Sequence, residues 1–203
     1  MSSVDAVNLF HYHLVTSKVR DVEARYIAKL GFHLVARYGR IGDEQTHFEA
    51  GVPWEELDRL GFRLRLSELE RGAVNVVDLP RIDHVGFALD EDEFIDVMER
   101  AQRFELRVQE YPGRRTFVAT GAGYRVEIHP PREWIEELLA EGETMRLAGL
   151  RLKSENPAAQ AGALAQLLDS VLDDQSVQVG DAFVRFVEGG PPGRPQLDGE
   201  LFA

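Results

Sequence analysis

The chain has 203 residues, 44% of them hydrophobic and 29% charged, a balance that is ordinary for a soluble globular protein. Its formal net charge of −12 argues against nucleic acid and anionic membranes as partners. The absence of cysteine excludes disulfides and thiolate chemistry and is typical of a cytoplasmic protein. The N-terminus has no signal-peptide pattern, and no apolar run approaches the roughly 20 residues of a membrane span.

The first 80 residues predict a module that starts with a strand and a helix and continues as strands. The opening strand is rich in aromatic and β-branched residues, and the helix has apolar residues at helical spacing before Gly31. The predicted elements are a strand at 9–16, a helix from Asp21 to Gly31, strands at 32–38 and 46–50, a short helix at 53–60 and a strand at 73–79 that Pro80 closes.

The same order repeats in residues 81–142, with a period of roughly 70 residues. The predicted elements are a strand at 82–89, a helix at 91–102, strands at 105–108, 116–119 and 124–129, and an acidic helix at 134–141. Residues 143–203 begin the order a third time, with a strand at 145–153, a helix at 158–172, a hairpin at 177–179 and 182–187, and a loop at 189–195. This predicts an α+β chain of two βαβββ modules and a partial third module.

A side chain that can bind a metal lies in the first and in the last strand of the second module. Alternation places His84 on one face with Gly86 and Ala88, so that the histidine looks out over two small residues that leave room for a ligand. In the last strand Glu127 shares a face with His129. A carboxylate and an imidazole that meet inside one fold are two thirds of a metal site.

These features resemble the vicinal oxygen chelate superfamily, which includes glyoxalase I, the extradiol dioxygenases and the bleomycin resistance proteins. The residues that carry the resemblance are Lys29-Leu30-Gly31-Phe32, Ile82-Asp83-His84-Val85-Gly86-Phe87 and Gly121-Ala122-Gly123-Tyr124-Arg125-Val126-Glu127-Ile128-His129. The resemblance implies that the sheets of the paired modules form an open half-barrel around a divalent metal.

By this resemblance His84 and Glu127 would be metal ligands, and a third ligand would come from the first strand. His11 and His13 both fit, because they are two residues apart and share a face. His13 is taken as the ligand, with His11 as the alternative. In place of a metal, an arginine across the sheet could neutralise Glu127, since a buried carboxylate needs a partner.

The implied site departs from its relatives in two ways. Val77 stands where a counterpart of Glu127 is expected, with Asp78 one residue away and on the opposite face. Two histidines and one carboxylate favour Fe(II) or Mn(II), with Zn or Ni also allowed, and leave positions open for a substrate. The stretch before Glu127 lacks the histidine and Asp-Pro of the extradiol dioxygenases, which argues against ring cleavage.

Three further residues are predicted to contact substrate, namely Tyr124, His129 and Glu49. No catalytic residue is assigned, although Glu49 or the unused member of the His11 and His13 pair would be a general base. The predicted function is a metal-dependent enzyme of the glyoxalase and dioxygenase type that binds a small molecule through two oxygens. The alternatives are a non-catalytic binder of the bleomycin-resistance type and a scaffold whose site has decayed. The exposed half-sheet of the third module is expected to pack on the other modules or on a second subunit, and a homodimer is expected.

Overall fold

A computed structural model describes residues 7–15, 18–71, 74–111, 115–133, 135 and 147–203. It confirms the predicted α+β class and the open sheet. Thirteen strands of the described ranges form one sheet, in which the central path runs β10, β11, β12, β9, β13, β5, β4, β2 and β3. The strands are β1 (Val7–Val15), β2 (His33–Ile41), β3 (Glu44–Glu49), β4 (Phe62–Arg71), β5 (Val74–Leu89), β6 (Val108–Tyr111), β7 (Arg115–Ala119), β8 (Arg125–His129), β9 (Leu147–Ser154), β10 (Leu172–Asp173), β11 (Ser176–Val179), β12 (Ala182–Glu188) and β13 (Gln196–Phe202). Within the described ranges the helices are α1 (Val19–Leu30), α2 (Trp54–Arg59), α3 (Glu91–Arg103) and α4 (Pro157–Leu168).

The second module follows the predicted order of strand, helix and three strands. Asp90 caps α3 by accepting a hydrogen bond from the backbone of Glu93, and Val97 and Ala101 bury one face of the helix. The second half of β5 pairs in parallel with β8, which pairs with β7, which pairs with β6. The strand predicted at 105–108 begins three residues later than expected, because Glu105 adopts a positive φ of 55° after the helix.

The first module contains a strand that the prediction missed. β4 lies between β2 and β5, and β3 is an edge strand that pairs with β2 alone. The alternation of Phe62, Leu64 and Leu66 with arginines between them was the signal for β4. The first module is therefore a βαβββ unit with an additional edge strand and the short helix α2.

The predicted strand end at Pro80 is wrong, since β5 continues through it. Val15 of β1 is paired with Leu79 and also with Arg81, so the two halves of β5 lie on opposite edges of β1. Residues 81–89 of β5 run antiparallel to β1, because their numbers fall as those of their β1 partners rise. Residues 75–79 run parallel to β1, because both sets of numbers rise together. Proline has no N–H to donate, and Pro80 lies where the ladder changes edge. β1 therefore joins the two modules.

The third module is more complete than predicted. β9, α4, β10, β11 and β12 repeat the strand, helix and three strands of the second module, and β9 pairs in parallel with β12 as β5 does with β8. The prediction missed β10, which has two residues, and β13. β13 pairs antiparallel with β9 and reaches β5 through Gln196 and Arg81.

The helix α1 packs on the first module through a buried ion pair. Glu23 of the helix binds Arg37 of β2 and accepts hydrogen bonds from Ser67 of β4 at 2.8 Å and from Trp54 at 3.0 Å. Because Arg37 and Ser67 contact this helix, their side chains mark the helix face of the sheet. The residues next to them along each strand therefore point to the opposite face.

No helix of the described residues is long and apolar enough to cross a membrane. The predicted helix at 134–141 and the turn at Pro112-Gly113 lie largely outside those residues. β5 crosses the predicted boundary between residues 80 and 81, and the division into modules 1–80, 81–142 and 143–203 stays a prediction.

Candidate metal centre

The candidate site forms in one row across β1, β5 and β8. The register places His11 opposite Gly86 on one edge of β5 and Glu127 opposite Gly86 on the other edge. Directly opposed residues share a face of the sheet, so the histidine and the carboxylate point the same way. A methyl group on Gly86 would overlap the His11 ring, which fills the space that the sequence suggested for a ligand.

One oxygen of Glu127 contacts two imidazoles. Glu127 Oε2 lies 3.1 Å from His11 Nε2 and 2.8 Å from His84 Nε2. All three residues are buried, with His11 8%, His84 3% and Glu127 1% exposed. One donor atom from each lies within 4.8 Å of the others, which is close enough for a single ion to contact all three.

The second oxygen of Glu127, Oε1, lies near a third imidazole and an arginine. His129 Nε2 lies 3.2 Å from Oε1, and Arg115 Nε is 3.8 Å away on a side chain that is half exposed. Phe10 presents its ring edge to His11 and to His129, with ring centroids 4.4 and 5.2 Å apart. Among the described residues the carboxylate is therefore enclosed mainly by imidazoles, and the arginine contact from Arg115 is long and partly solvated.

Two β-bulges flank the site and redirect its side chains. Leu9 pairs with Phe87 and His11 with Gly86, which leaves Phe10 as an extra residue in β1. On β5 the pairing steps from His84 directly to Ile82, which leaves Asp83 as the extra residue. A bulge rotates the chain locally.

The Asp83 bulge places a carboxylate behind a histidine of the cluster. Asp83 Oδ2 lies 3.2 Å from His84 Nδ1, although neighbours in a regular strand point to opposite faces. Arg125 binds the same carboxylate, and Arg194 Nη1 lies 3.7 Å from its other oxygen. Arg194 precedes β13, so the third module contributes to the support of His84.

The surroundings set the protonation of the cluster. Burial acts to raise the pKa of Glu127, but hydrogen bonds from His11, His129 and His84 outweigh it and hold that pKa well below its ordinary value. Burial lowers the pKa of His11 to about 4, against the opposing effect of Glu127. Burial also disfavours the charged form of His84, but hydrogen bonds to Asp83 and Glu127 prevail and raise its pKa. Glu127 is ionised and His11 is neutral at pH 7, as metal ligands must be, whereas His84 would release the proton that its raised pKa favours on binding a metal.

The donor set fits a divalent metal. Two imidazoles and a carboxylate are ligands that Zn, Fe(II) and Mn(II) accept. The buried Nδ1 of His11 has no hydrogen-bond partner in the part of the chain that the structure describes, so the cluster contains a polar nitrogen that the described side chains leave unsatisfied.

His13 lies beside the cluster and forms a second group with Asp83 and His84. Its ring centroid is 4.6 Å from that of His84, and burial lowers its pKa to about 3. The structure therefore brings His11, rather than His13, into contact with Glu127. Which of the two binds a metal stays a prediction.

Two of the three predicted substrate residues lie apart from the cluster. Tyr124 is buried in the core, where its hydroxyl donates to the Gln160 carbonyl of α4 at 3.3 Å and its ring packs against Phe186. Glu49 is exposed at the end of the edge strand β3. Only His129 adjoins the cluster.

Sequence reasoning did not identify Asp83 and Arg125 as supports of His84. In a regular strand Asp83 would face away from His84, and the residue pattern carries no signal for the bulge. Gly86 was read as open space, whereas its role is to admit the ring of His11 from the neighbouring strand.

No family model matches the chain, and no curated protein matches it either. Solved structures do match. A catechol 2,3-dioxygenase superposes with a TM-score of 0.63 at 8% identity, covering 98% of this chain and 71% of that one. A mutant of 4-hydroxymandelate synthase from Streptomyces coelicolor gives 0.61 at 13% identity over the same shares. The Mn(II)-bound glyoxalase from Novosphingobium aromaticivorans gives 0.53 at 14% identity, and the match covers 98% of this chain and 65% of that one.

The chain has the vicinal oxygen chelate fold. All three neighbours are members of that superfamily, and the predicted resemblance is confirmed at the level of the fold. At these identities the likeness extends to the fold alone, so the function of the chain must be argued from its own His11, His84 and Glu127.

Proposed function

We propose that the chain is a divalent-metal enzyme that binds a small substrate through two neighbouring oxygens. The observation that carries the proposal is the contact of Glu127 with imidazoles at 2.8, 3.1 and 3.2 Å in a buried site. Without a metal, the charge of Glu127 is compensated by a protonated imidazole, because the pKa of His84 is raised whereas His11 is neutral at pH 7. A metal ion would take the place of that proton and hold the carboxylate together with both imidazoles.

The proposed ligands are His11, His84 and Glu127. His11 replaces the predicted His13, because His11 Nε2 contacts Glu127 whereas His13 belongs to the neighbouring group. Fe(II) or Mn(II) suits a set of two histidines and one carboxylate, and such a set leaves positions open. When bound, the metal would act as a Lewis acid and a template for two substrate oxygens.

The remaining side chains would bind and orient the substrate. Arg115, which is half exposed beside Glu127, can hold a negatively charged oxygen. His129 would hold the second Glu127 oxygen and so keep the carboxylate in place. His13, partly exposed and neutral at pH 7, is the imidazole available to accept a proton from the substrate.

The ligand set can be tested one residue at a time. Metal content and affinity for Mn(II) would be measured for His11→Ala, His84→Ala and His13→Ala, with His33→Ala on β2 as the control. We expect loss of more than about 100-fold in affinity for the first two, since even outer-shell changes cost about 10–100-fold. His13→Ala and the control should stay within about tenfold of wild type. Loss with His13→Ala alone would restore the original assignment of His13.

The binding of paired oxygens can be tested with catechol and phenol. Calorimetric titration of Mn(II)-loaded protein should give tighter binding of catechol than of phenol, because only catechol offers two neighbouring oxygens to the metal. Neither compound should bind the His84→Ala variant in this way. Equal binding of the two compounds would contradict the proposal. A protein that binds no metal but still binds small molecules would instead support the non-catalytic alternative.

A further inference from the structure

A cavity of about 730 Å³ lies at the far side of the first module, on β2, β3 and β4. Its size is within the range of small-molecule sites. Its lining includes three arginines, a stacked tyrosine and histidine, an amide and one acid. These residues are Tyr38, Arg40, Asp43, Gln45, His47, Arg63 and Arg65.

The cavity is on the same face of the sheet as the metal centre. Register pairs His13 with residue 77, residue 77 with Glu68, and Glu68 with Ala36. Residues that are paired across two strands share a face of the sheet, so Ala36 is on the same face as His13. Residues two apart along a strand also share a face, so Tyr38 and Arg40 are on that face too. The helix α1 covers the other face through Arg37. One surface of the sheet therefore bears both the metal cluster and the cavity.

The arginines of the cavity are arranged unfavourably for an empty surface. Arg40 is directly opposite Arg63 across β2 and β4, and like charges in that relation destabilise a sheet. A β-bulge adds Arg65 next to them, because the pairing steps from Leu66 to Leu64. Among the residues that the structure describes, Arg40 and Arg65 have no ion-pair partner, and Asp43 has none either.

A backbone carbonyl holds one arginine at the cavity, and an aromatic pair adds contacts for a ligand. Arg63 donates to the Gly42 carbonyl at 2.9 Å, which ties it to the hairpin between β2 and β3. Tyr38 and His47 stack with ring centroids 5.7 Å apart, and they form a flat wall beside the arginines. In a chain of net charge −12, this local excess of cations stands apart.

We propose that this cavity binds the anionic end group, phosphate or carboxylate, of the substrate. The inference rests on the proposed function for the other end of that substrate. β2 is three strand spacings from β1, or about 14 Å across the sheet, and the row of His11 meets β2 at His33. Arg40 is seven residues beyond His33, about 20 Å further along the strand, so the ligand would be elongated and would span roughly 25 Å. Guanidinium groups recognise phosphate and carboxylate oxygens by paired hydrogen bonds, and an anion between Arg40 and Arg63 would remove their repulsion.

Calorimetric titration of metal-free protein with pyrophosphate and with citrate, at constant ionic strength, tests the inference. We expect saturable binding at one site, weakened at least about tenfold in Arg40→Gln and in Arg63→Gln. Arg59→Gln is the matched control, because Arg59 is exposed on α2 outside the cavity. Preference for pyrophosphate assigns a phosphoryl group and preference for citrate a carboxylate. Melting curves establish that each variant is folded.

Absence of saturable binding of both anions would overturn the inference, and so would equal weakening in Arg59→Gln. Metal content measured on the same samples keeps the two proposals separate. Anion binding without any metal binding would contradict the proposed metal enzyme but not the anion site. Metal binding without anion binding would contradict the anion site but not the proposed metal enzyme.

Discussion

Two buried carboxylates of this chain are compensated in different ways. Glu23 is 4% exposed and lies between α1 and the first module, whereas Glu127 is 1% exposed on β8. Burial acts to raise the pKa of both, and hydrogen bonds outweigh it, so both pKa values lie below the ordinary one. The partners differ. Glu23 meets a guanidinium, an indole N–H and a hydroxyl, but Glu127 meets three imidazoles.

The difference separates a structural carboxylate from a candidate ligand. Arg37 is always charged, so Glu23 is neutralised without any added ion. Imidazoles, unlike guanidinium groups, can give up a proton near neutral pH, so a metal can take the place of a proton among those around Glu127. Within the described ranges, the arginine that contacts Glu127 is Arg115, at 3.8 Å and half exposed. This comparison favours metal over arginine as the charge that compensates Glu127.

Removal of the structural carboxylate should have the largest effect on stability. Glu23→Ala leaves Arg37 buried without its partner, and breaking a buried pair costs about 3–5 kcal/mol of unfolding free energy. Urea unfolding measures this, with Glu56→Ala on the exposed face of α2 as the control. Metal affinity of the folded variant should not change. A variant as stable as the control would show that the pair contributes little.

Acid should reduce the contribution of Glu23. Its folded pKa is below the ordinary value of 4.5, so its stabilisation is fully present above that value and is lost as the pH falls through the folded pKa. The stability difference between wild type and Glu23→Gln should therefore narrow between pH 7 and pH 3. A constant difference over this range would contradict the assigned charge of Glu23.

A side chain added at Gly86, which lies between His11 and Glu127 in the sheet, should disturb the site at His11. Gly86→Ala places a methyl group against the His11 ring, which should cost about 1–3 kcal/mol and weaken metal binding. Gly162→Ala in α4 is the control, since nothing lies near its added methyl group, and it should gain up to about 1 kcal/mol. Unchanged metal affinity in Gly86→Ala would show that the position of His11 does not matter to the metal.

A smaller effect on metal affinity is expected from a change at Asp83, which contacts His84. Asp83→Asn keeps the shape but weakens the hold on His84 Nδ1, and such outer-shell changes reduce metal affinity by about 10–100-fold. The control is Asp198→Asn on β13, where the carboxylate pairs with Lys153 at 2.6 Å and with Arg151. Equal metal affinities in the two variants would remove Asp83 from the site.

The order of elements in the second module and its two metal-capable strands could be predicted from the sequence. Alternation around His84 and Glu127 and the helix stop at Gly31 were local signals, and the structure uses them as expected. The missed strand β4 also had a local signal in its alternation. In contrast, β10 has only two residues, and β13 contains a glycine and two acidic residues, so neither has a strand pattern in its sequence. Both strands are defined by their pairing with neighbouring strands.

The choice between His11 and His13 could not be made from the sequence. It depends on the register of β1 against β5, on the bulge at Phe10 and on the absence of a side chain at Gly86 in the neighbouring strand. These are long-range relations that one strand does not encode. The same holds for Asp83, whose contact with His84 depends on a bulge in β5, and for Arg194, which arrives from the third module.

Metal titration of three proteins tests the central claim most directly. Wild type, Glu127→Gln and Glu23→Gln would be stripped with a chelator and titrated with Mn(II) or Fe(II) under argon. We predict one ion per chain in wild type and in Glu23→Gln, and at least about 100-fold weaker binding in Glu127→Gln. Equal binding by wild type and Glu127→Gln, or no binding by any of them, would contradict a metal centre at Glu127.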